Sequence, residues 1–222
     1  LNRNFGTEVS PRKGLVIAVD GPAASGKGTI ARALAKHFDL PHMDTGLLYR
    51  AVALKLWRWG GDPANEFEAL RACDELGFDP ADEELRSEPV SRIASKVSSY
   101  SSVRDALMQR QRDFAAQEGG AVLDGRDIGT IIAPNADVKL FVTASAEVRA
   151  QRRVRELLER GMPAHYEDVL LDIRARDERD TNREIAPLRQ ADDAILLDTS
   201  ELDIEEAIIE AVRLVSERVP AL

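Results

Sequence analysis

Nine consecutive residues, Gly21, Pro22, Ala23, Ala24, Ser25, Gly26, Lys27, Gly28 and Thr29, carry the clearest chemistry in the chain. Glycines at this spacing let the backbone curl until successive N–H groups point inward, forming a nest for phosphate oxygens. A helix opening at the same place adds its positive end, and Lys27 can reach the outer phosphates of a triphosphate. One position departs from the general pattern. Gly28 stands where a serine or threonine ordinarily meets magnesium, and Thr29 comes one residue later. Magnesium is therefore expected mainly on water and phosphate oxygens, which suits its reluctance to shed water. Thr29 is a second candidate metal contact.

Arginines recur inside three later blocks. Arg50 closes Asp44-Thr45-Gly46-Leu47-Leu48-Tyr49-Arg50, and Arg126 lies within Asp124-Gly125-Arg126-Asp127-Ile128-Gly129-Thr130. Arg183 ends Arg176-Asp177-Glu178-Arg179-Asp180-Thr181-Asn182-Arg183. A phosphate monoester near two negative charges calls for several guanidiniums, and these three suit a convergent clamp. Taken singly, each fits equally a solvated or salt-bridged surface.

With the phosphate nest, these blocks resemble in type and order the bacterial cytidylate kinases of the P-loop nucleoside monophosphate kinase family. The resemblance runs from about Leu15 to the C-terminus. Only an N-terminal arm and roughly Gly60 to Arg86 fall outside it. It implies ATP as phosphoryl donor, CMP and dCMP as acceptors, and Mg2+ as cofactor. It also implies that Arg50, Arg126 and Arg183 grip the monophosphate, and that Arg176 and Asp180 meet the sugar hydroxyls. Thr45 matches a small hydroxyl residue near the acceptor phosphate. Tyr49 reads either as a ring beside the nucleotide or as a buried structural tyrosine.

Ser95, Arg104 and Asp127 stand where the family reads the base. Cytosine offers an amino donor beside two acceptors, an edge that one carboxylate and one cationic or hydroxyl donor can pair. Uracil would turn a carbonyl toward the carboxylate, which gives discrimination by repulsion. Locally, residues 93–107 also fit an ordinary amphipathic helix with a polar face.

Arg149, Arg152, Arg153 and Arg155 recur at helical spacing ahead of Gly161-Met162-Pro163. In related kinases such a helix belongs to a lid, whose arginines stabilise the transferring phosphoryl group while closure excludes water. Arg152 and Arg153 are the catalytic candidates beside Lys27, Arg126 and Arg183. An exposed helix stitched by pairs such as Arg152 with Glu156 is the alternative for at least one of them. No general base is needed, because a phosphate monoester with a second pKa of ~6 is already mostly dianionic. His37, His42 and His165 accordingly read as structural or surface residues. Asp124 either orients a magnesium-bound water or holds the Gly125-Arg126 turn.

The elements that must position these groups follow from hydrophobic patterning. Leu15–Val19 is apolar throughout and rich in β-branched residues, as a strand covered on both faces should be. Similar runs at Leu40–Met43, Ala121–Leu123, Val138–Val142 and Ala194–Leu197 predict a five-stranded parallel sheet with helices on both faces. The fold class is α/β, P-loop NTPase-like and three-layered. Thr29–Phe38 places Ile30, Leu34 and Phe38 on one stripe, and Asp203 with Glu206 marks the start of a C-terminal helix whose stripe is Ile204, Ile208, Val212 and Val215. One kinase domain is expected over residues 15–222, after a mobile arm at 1–14. Its core would comprise 15–56, 101–146 and 184–222, with a monophosphate-binding insert at 57–100 and a lid at 147–183. The insert is shorter than in longer cytidylate kinases and offers no convincing strand, which predicts a more open and mobile acceptor site.

Composition sets the outer bounds. The chain has 222 residues and a net charge of -9, which argues against a general nucleic-acid partner. No apolar run approaches a membrane span, and the polar opening residues lack a signal-peptide core. Cys73 is the single cysteine, so a cytoplasmic setting is the default and the residue reads as a small apolar side chain. A monomer is expected, with nucleotides as the partners. Two other functions compete: a P-loop kinase for UMP or a non-nucleotide metabolite, and a nucleotide-binding regulator that has lost catalysis.

Overall fold

A computed structural model describes residues 14–219. The predicted arm at 1–14 lies outside the described residues except for Gly14. Five strands form one sheet in the order β2-β3-β1-β4-β5. They are β1 (Leu15–Asp20), β2 (His42–Asp44), β3 (Gly120–Gly125), β4 (Val138–Thr143) and β5 (Ile195–Asp198), and every pairing is parallel. The two central strands explain the apolar runs. All six residues of β3 are buried, and Ile17, Ala18 and Val19 of β1 are fully covered.

Side-chain alternation splits the core into two layers. Ile17, Val19, Val122, Leu140 and Val142 pack against α1 (Lys27–His37) and the C-terminal helix. Ala18, Ala121 and Leu123 face Ile128 and Ile132 of a π-helical turn, Ile128–Ile132, and the helix α5 (Ser101–Ala115). Beyond that side, α2 (Thr45–Arg58), α3 (Glu66–Cys73) and α4 (Glu88–Val97) bury a third cluster that includes Leu56, Leu85, Val90 and Val97. Residues 57–100 contain no strand. Their helices nevertheless own a real core, which their polar average concealed. Cys73 is half-buried against that cluster, its thiol pushed up to about 11 by burial.

The start of β2 differs from the apolar pattern for reasons of hydrogen bonding, and the C-terminal helix differs in its buried stripe. The β2 ladder starts at His42, not Leu40: the Leu40 N–H returns to Ala35 O at the end of α1, and Pro41 has no N–H to give. The capping box at Asp203 and Glu206 is present and starts α8 (Ile204–Ser216). Its buried stripe, however, is Ala207, Ala211 and Val215, flanked by half-buried Ile208 and Val212, while Ile204 is 68 % exposed. The remaining helices are α6 (Ala146–Glu159) and α7 (Tyr166–Asn182), which pack on each other through Ala150, Leu170 and Ile173. Among the described residues no helix is long and apolar enough to cross a membrane.

Candidate active site

The phosphate loop leaves the carboxyl end of β1 at the middle of the sheet. Gly21 is required there because a Cβ would stand 2.0 Å from the Val142 carbonyl oxygen of β4. Gly26 caps α1 with φ 89°, a left-handed conformation that glycine adopts without strain. Pro22 and Ser25 are buried in the turn, Ala23 is half-buried, and Ala24 has φ 58°. Lys27 opens α1 and donates to Pro22 O at 3.3 Å. Burial and the nearby Arg126 charge depress its pKa to about 7, against the pull of Asp124 and Asp44. An anion in the nest would restore the full ammonium charge.

In front of the loop lies a cleft of about 500 Å³. Its walls bring together Ala23, Ala24, Lys27, Gly28, Arg50, Ser95, Asp124, Arg126, Arg153 and Arg176 from six separate segments of chain. Arg50 leaves α2 and donates to Leu85 O at 2.9 Å and to Ser91 Oγ at 2.6 Å, so α4 aims it. Arg126 Nε donates to Asp180 Oδ2 at 2.7 Å, and Arg176 Nε lies 3.8 Å from the same oxygen. Burial alone would raise the Asp180 pKa, but Arg126 and Arg176 hold it below the usual carboxylate range. Burial, together with the charge of Arg126, lowers Arg176 to about 9.

Behind the wall Arg104 pairs with Asp127, and Arg183 Nη2 lies 3.7 Å from the other Asp127 oxygen. Arg104 also stacks over the buried Tyr49 ring at 5.6 Å. Tyr49 therefore supports the Arg104 guanidinium and is not itself a cleft wall. Thr45 is buried too, its hydroxyl donating to Asp124 O at 2.8 Å. Six buried side-chain polar atoms lack a hydrogen-bond partner among the described residues. Four of them are Ser95 Oγ, Arg104 Nε, Arg176 Nε and Arg183 Nη2. Buried donors are rarely left unpaired; Ser95 and Arg176 line the cleft itself, whereas Arg104 and Arg183 lie behind its wall.

The arginines of α6 separate by their contacts. Arg153 lines the cleft and pairs with Glu88 of α4 and with Glu156, at 2.6 Å for the latter. Arg152 points elsewhere: it donates to Thr199 Oγ1, Thr199 O and Leu202 O at 2.9, 2.6 and 3.2 Å. It makes no pair with Glu156, which Arg153 and Arg160 occupy. Arg149 is buried and locks bidentately onto Asp177 while donating to Ala23 O at 3.2 Å. Arg155 belongs to a separate surface away from the cleft. Thr29 is exposed and outside the cleft, its hydroxyl accepting from Arg32 at 3.2 Å. Of the two metal candidates only Asp124 reaches the cleft.

Several site residues escaped the motif reading. Asp44 joins Asp124 in the cleft, and burial followed by the neighbouring Asp124 charge raises its pKa. Its place before Thr45-Gly46 was the available signal. His42, read as structural or surface, has Nε2 2.7 Å from Asp124 Oδ1. Asp20 accepts from the N–H groups of Ile128 and Gly129 at 2.8 and 2.7 Å, bracing the segment that carries Asp127. Burial pushes its carboxyl up to about 7. Glu88 and Ser91 carried no signal, because they act from the insert on arginines distant in sequence.

A phosphate nest at the centre of a parallel sheet, facing an arginine-lined second compartment, defines a P-loop phosphotransferase. The family model described as Cytidylate kinase matches residues 17–217. A cytidylate kinase of Xanthobacter autotrophicus is 58 % identical, covering 92 % of this chain and 98 % of that protein. One from Methylocella silvestris is 54 % identical, covering 90 % and 94 %. The chain belongs to the cytidylate kinase family and is a nucleoside monophosphate kinase. Solved structures that share the fold include a gluconokinase from Sinorhizobium meliloti, with a TM-score of 0.51, 15 % identity and coverage of 93 % of this chain and 94 % of that one. An uncharacterized protein from Eubacterium ventriosum gives a TM-score of 0.56 at 17 % identity, covering 92 % and 99 %.

Proposed function

We propose that the protein transfers the γ-phosphoryl group of ATP to CMP and dCMP. The observation that carries this reading is the set of unpartnered buried donors on Ser95, Arg104, Arg176 and Arg183, set around the carboxylates of Asp127 and Asp180. That composition suits a pyrimidine edge and a sugar bearing hydroxyls, and the relatives are named cytidylate kinases. The donor phosphates occupy the Gly21–Thr29 nest with Lys27 on the outer ones. Arg50, Arg126 and Arg183 draw in the acceptor phosphate, which attacks without a general base because it is already dianionic. Arg153 adds positive charge where the loose transition state spreads its negative charge over phosphoryl oxygens.

The donor chemistry beside the nest fits magnesium. Asp124 Oδ2 faces Gly28, 3.6 Å from where a Cβ would stand, and Asp44 supplies a second carboxylate. Among the described residues no cluster of three or more His, Cys, Asp or Glu could cage an ion. Asp124, through water, and Asp44 would therefore supplement phosphate oxygens, and magnesium would supply charge neutralisation between the phosphates. Residues 57–100 would serve as the acceptor-side insert and 147–183 as the lid.

The test is ADP formation with CMP, dCMP, UMP, AMP, GMP and dTMP offered separately. Strong turnover with CMP and dCMP alone is expected. Equal turnover with UMP would overturn the base reading, and silence with every acceptor would overturn the activity.

A further inference from the structure

The two oxygens of the Asp124 carboxylate are held differently. Asp124 Oδ1 lies 2.7 Å from His42 Nε2, with the aspartate side chain 4 % and the histidine 17 % exposed. Asp124 Oδ2 faces the first turn of α1 across Gly28. The backbone is tied as well, because the Thr45 hydroxyl donates to the Asp124 carbonyl. This arrangement follows from β2. Its alternation turns His42 and Asp44 to one face, and its register sets Asp44 beside Asp124.

An aspartate carboxylate has a broad χ2 torsion, so nothing in its own covalent structure chooses which oxygen faces the nest. Its neighbours compete for it. Lys27 attracts both oxygens, whereas the Asp44 carboxylate repels them. An N–H donor on Oδ1 settles that competition. We infer that His42 is a positioning residue, whose Nε2–H holds Asp124 Oδ1 and so presents Oδ2 to the magnesium that accompanies the donor nucleotide. The inference rests on the assignment of Asp124 to the metal side of the site. It also explains how this chain works with glycine at position 28: orientation of a single carboxylate takes over part of what a hydroxyl ligand on α1 would do. Partners that orient a metal-side ligand typically change metal affinity by 10–100-fold, so about tenfold is the expected size.

The test compares His42→Phe, which keeps a ring but removes the donor, with His42→Gln, whose amide N–H can occupy the place of Nε2. Calorimetry measures the dissociation constant of ATP in excess Mg2+ and again in chelator. Their ratio is the gain conferred by the metal. His42→Phe should lower that ratio about tenfold while metal-free ATP binding stays within twofold of wild type. His42→Gln should recover most of the ratio. A merely structural histidine would weaken both binding constants together, or neither, and would gain nothing from glutamine. Asp124→Asn separates the two layers of the inference. If it leaves the ratio unchanged, the metal-side role of Asp124 fails and the inference with it. If Asp124→Asn abolishes the ratio while His42→Phe retains it, only the positioning role of His42 is overturned. Thermal melts of each variant establish that the comparison is between folded proteins.

Discussion

Arg126 Nε and Asp180 Oδ2 meet at 2.7 Å although 54 residues separate them in the chain. The contact ties the turn after β3 to the last stretch of α7, and Arg176 approaches the same carboxylate from its own helix. A single carboxylate thus holds two arginines beside the cleft. Their mutual repulsion would otherwise spread them. Under the proposed function, binding a dianionic phosphate would be an exchange of partners within a preset cluster.

Asp180→Asn removes the charge that gathers those arginines. Breaking a mostly buried pair from one side costs about 3 kcal/mol, and denaturant unfolding should show a loss of that order. Charge-assisted contacts to a sugar hydroxyl disappear as well, so kcat/KM for CMP should fall by about 10²-fold. Wild-type stability in this variant would show that the cluster is held by other means.

Lys27→Met separates stability from chemistry. The ammonium is desolvated enough that its pKa falls to about 7, so the folded chain gains little from it at neutral pH. Turnover should drop by about 10³-fold, while the melting temperature stays level or rises. Near-normal turnover would contradict the role of the loop.

Asp127→Ala should relax the choice of base. Without the carboxylate, the repulsion against the uracil carbonyl goes, and the CMP-to-UMP ratio of kcat/KM should fall by at least about tenfold. An unchanged ratio would place base reading elsewhere.

Arg153 and Arg152 of α6 should fail in different ways. Arg153→Ala should lower kcat by about 10²-fold with little change in the KM for ATP. Arg152 braces Thr199, whose hydroxyl contacts Ser25 O at 3.3 Å in the phosphate loop. Arg152→Ala should therefore act mainly on the KM for ATP. Identical kinetic signatures would remove the distinction.

Asp20 should impose a pH dependence on stability. Its carboxyl is raised from 3.8 to about 7, so between those values the folded chain holds a proton that the unfolded chain has lost. Its contribution is complete below the unfolded value and is lost as pH rises to the folded one. The slope approaches about 1.4 kcal/mol per pH unit at most. Unfolding free energies of wild type minus Asp20→Asn should therefore decline from pH 4 to 7 and then level. A flat difference would mean that Asp20 is ionised throughout.

The parts of this protein that were legible in its sequence are those set by local rules. The covered strands β1, β3 and β4 announced themselves as apolar runs, the phosphate loop by glycine spacing, and the α8 start by Asp203 and Glu206. What stayed hidden depends on contacts between distant segments. Nothing near Arg152 or Arg153 says that the first turns toward Thr199 and the second into the cleft, since both fit the same helix pattern. His42 looked ordinary because its partner is 82 residues away. The polar average of residues 57–100 masked Leu85 and Val90, which are buried in a cluster shared with α2 and α5.

Arg149 gives α6 a fulcrum. It is pinned to Asp177, Ala144 and Ala23 at the first turn of that helix, and farther out Arg152 bonds to Thr199 and Leu202, Arg153 pairs with Glu88 and Leu157 is buried. A rod anchored at one end amplifies small rotations. From Arg149 to Glu159 the helix extends about 15 Å, so a tilt of about 10° about the anchor sweeps its far end through about 3 Å. Because Ala23 belongs to the phosphate loop, a tilt of α6 about Arg149 would also pull on the backbone of that loop.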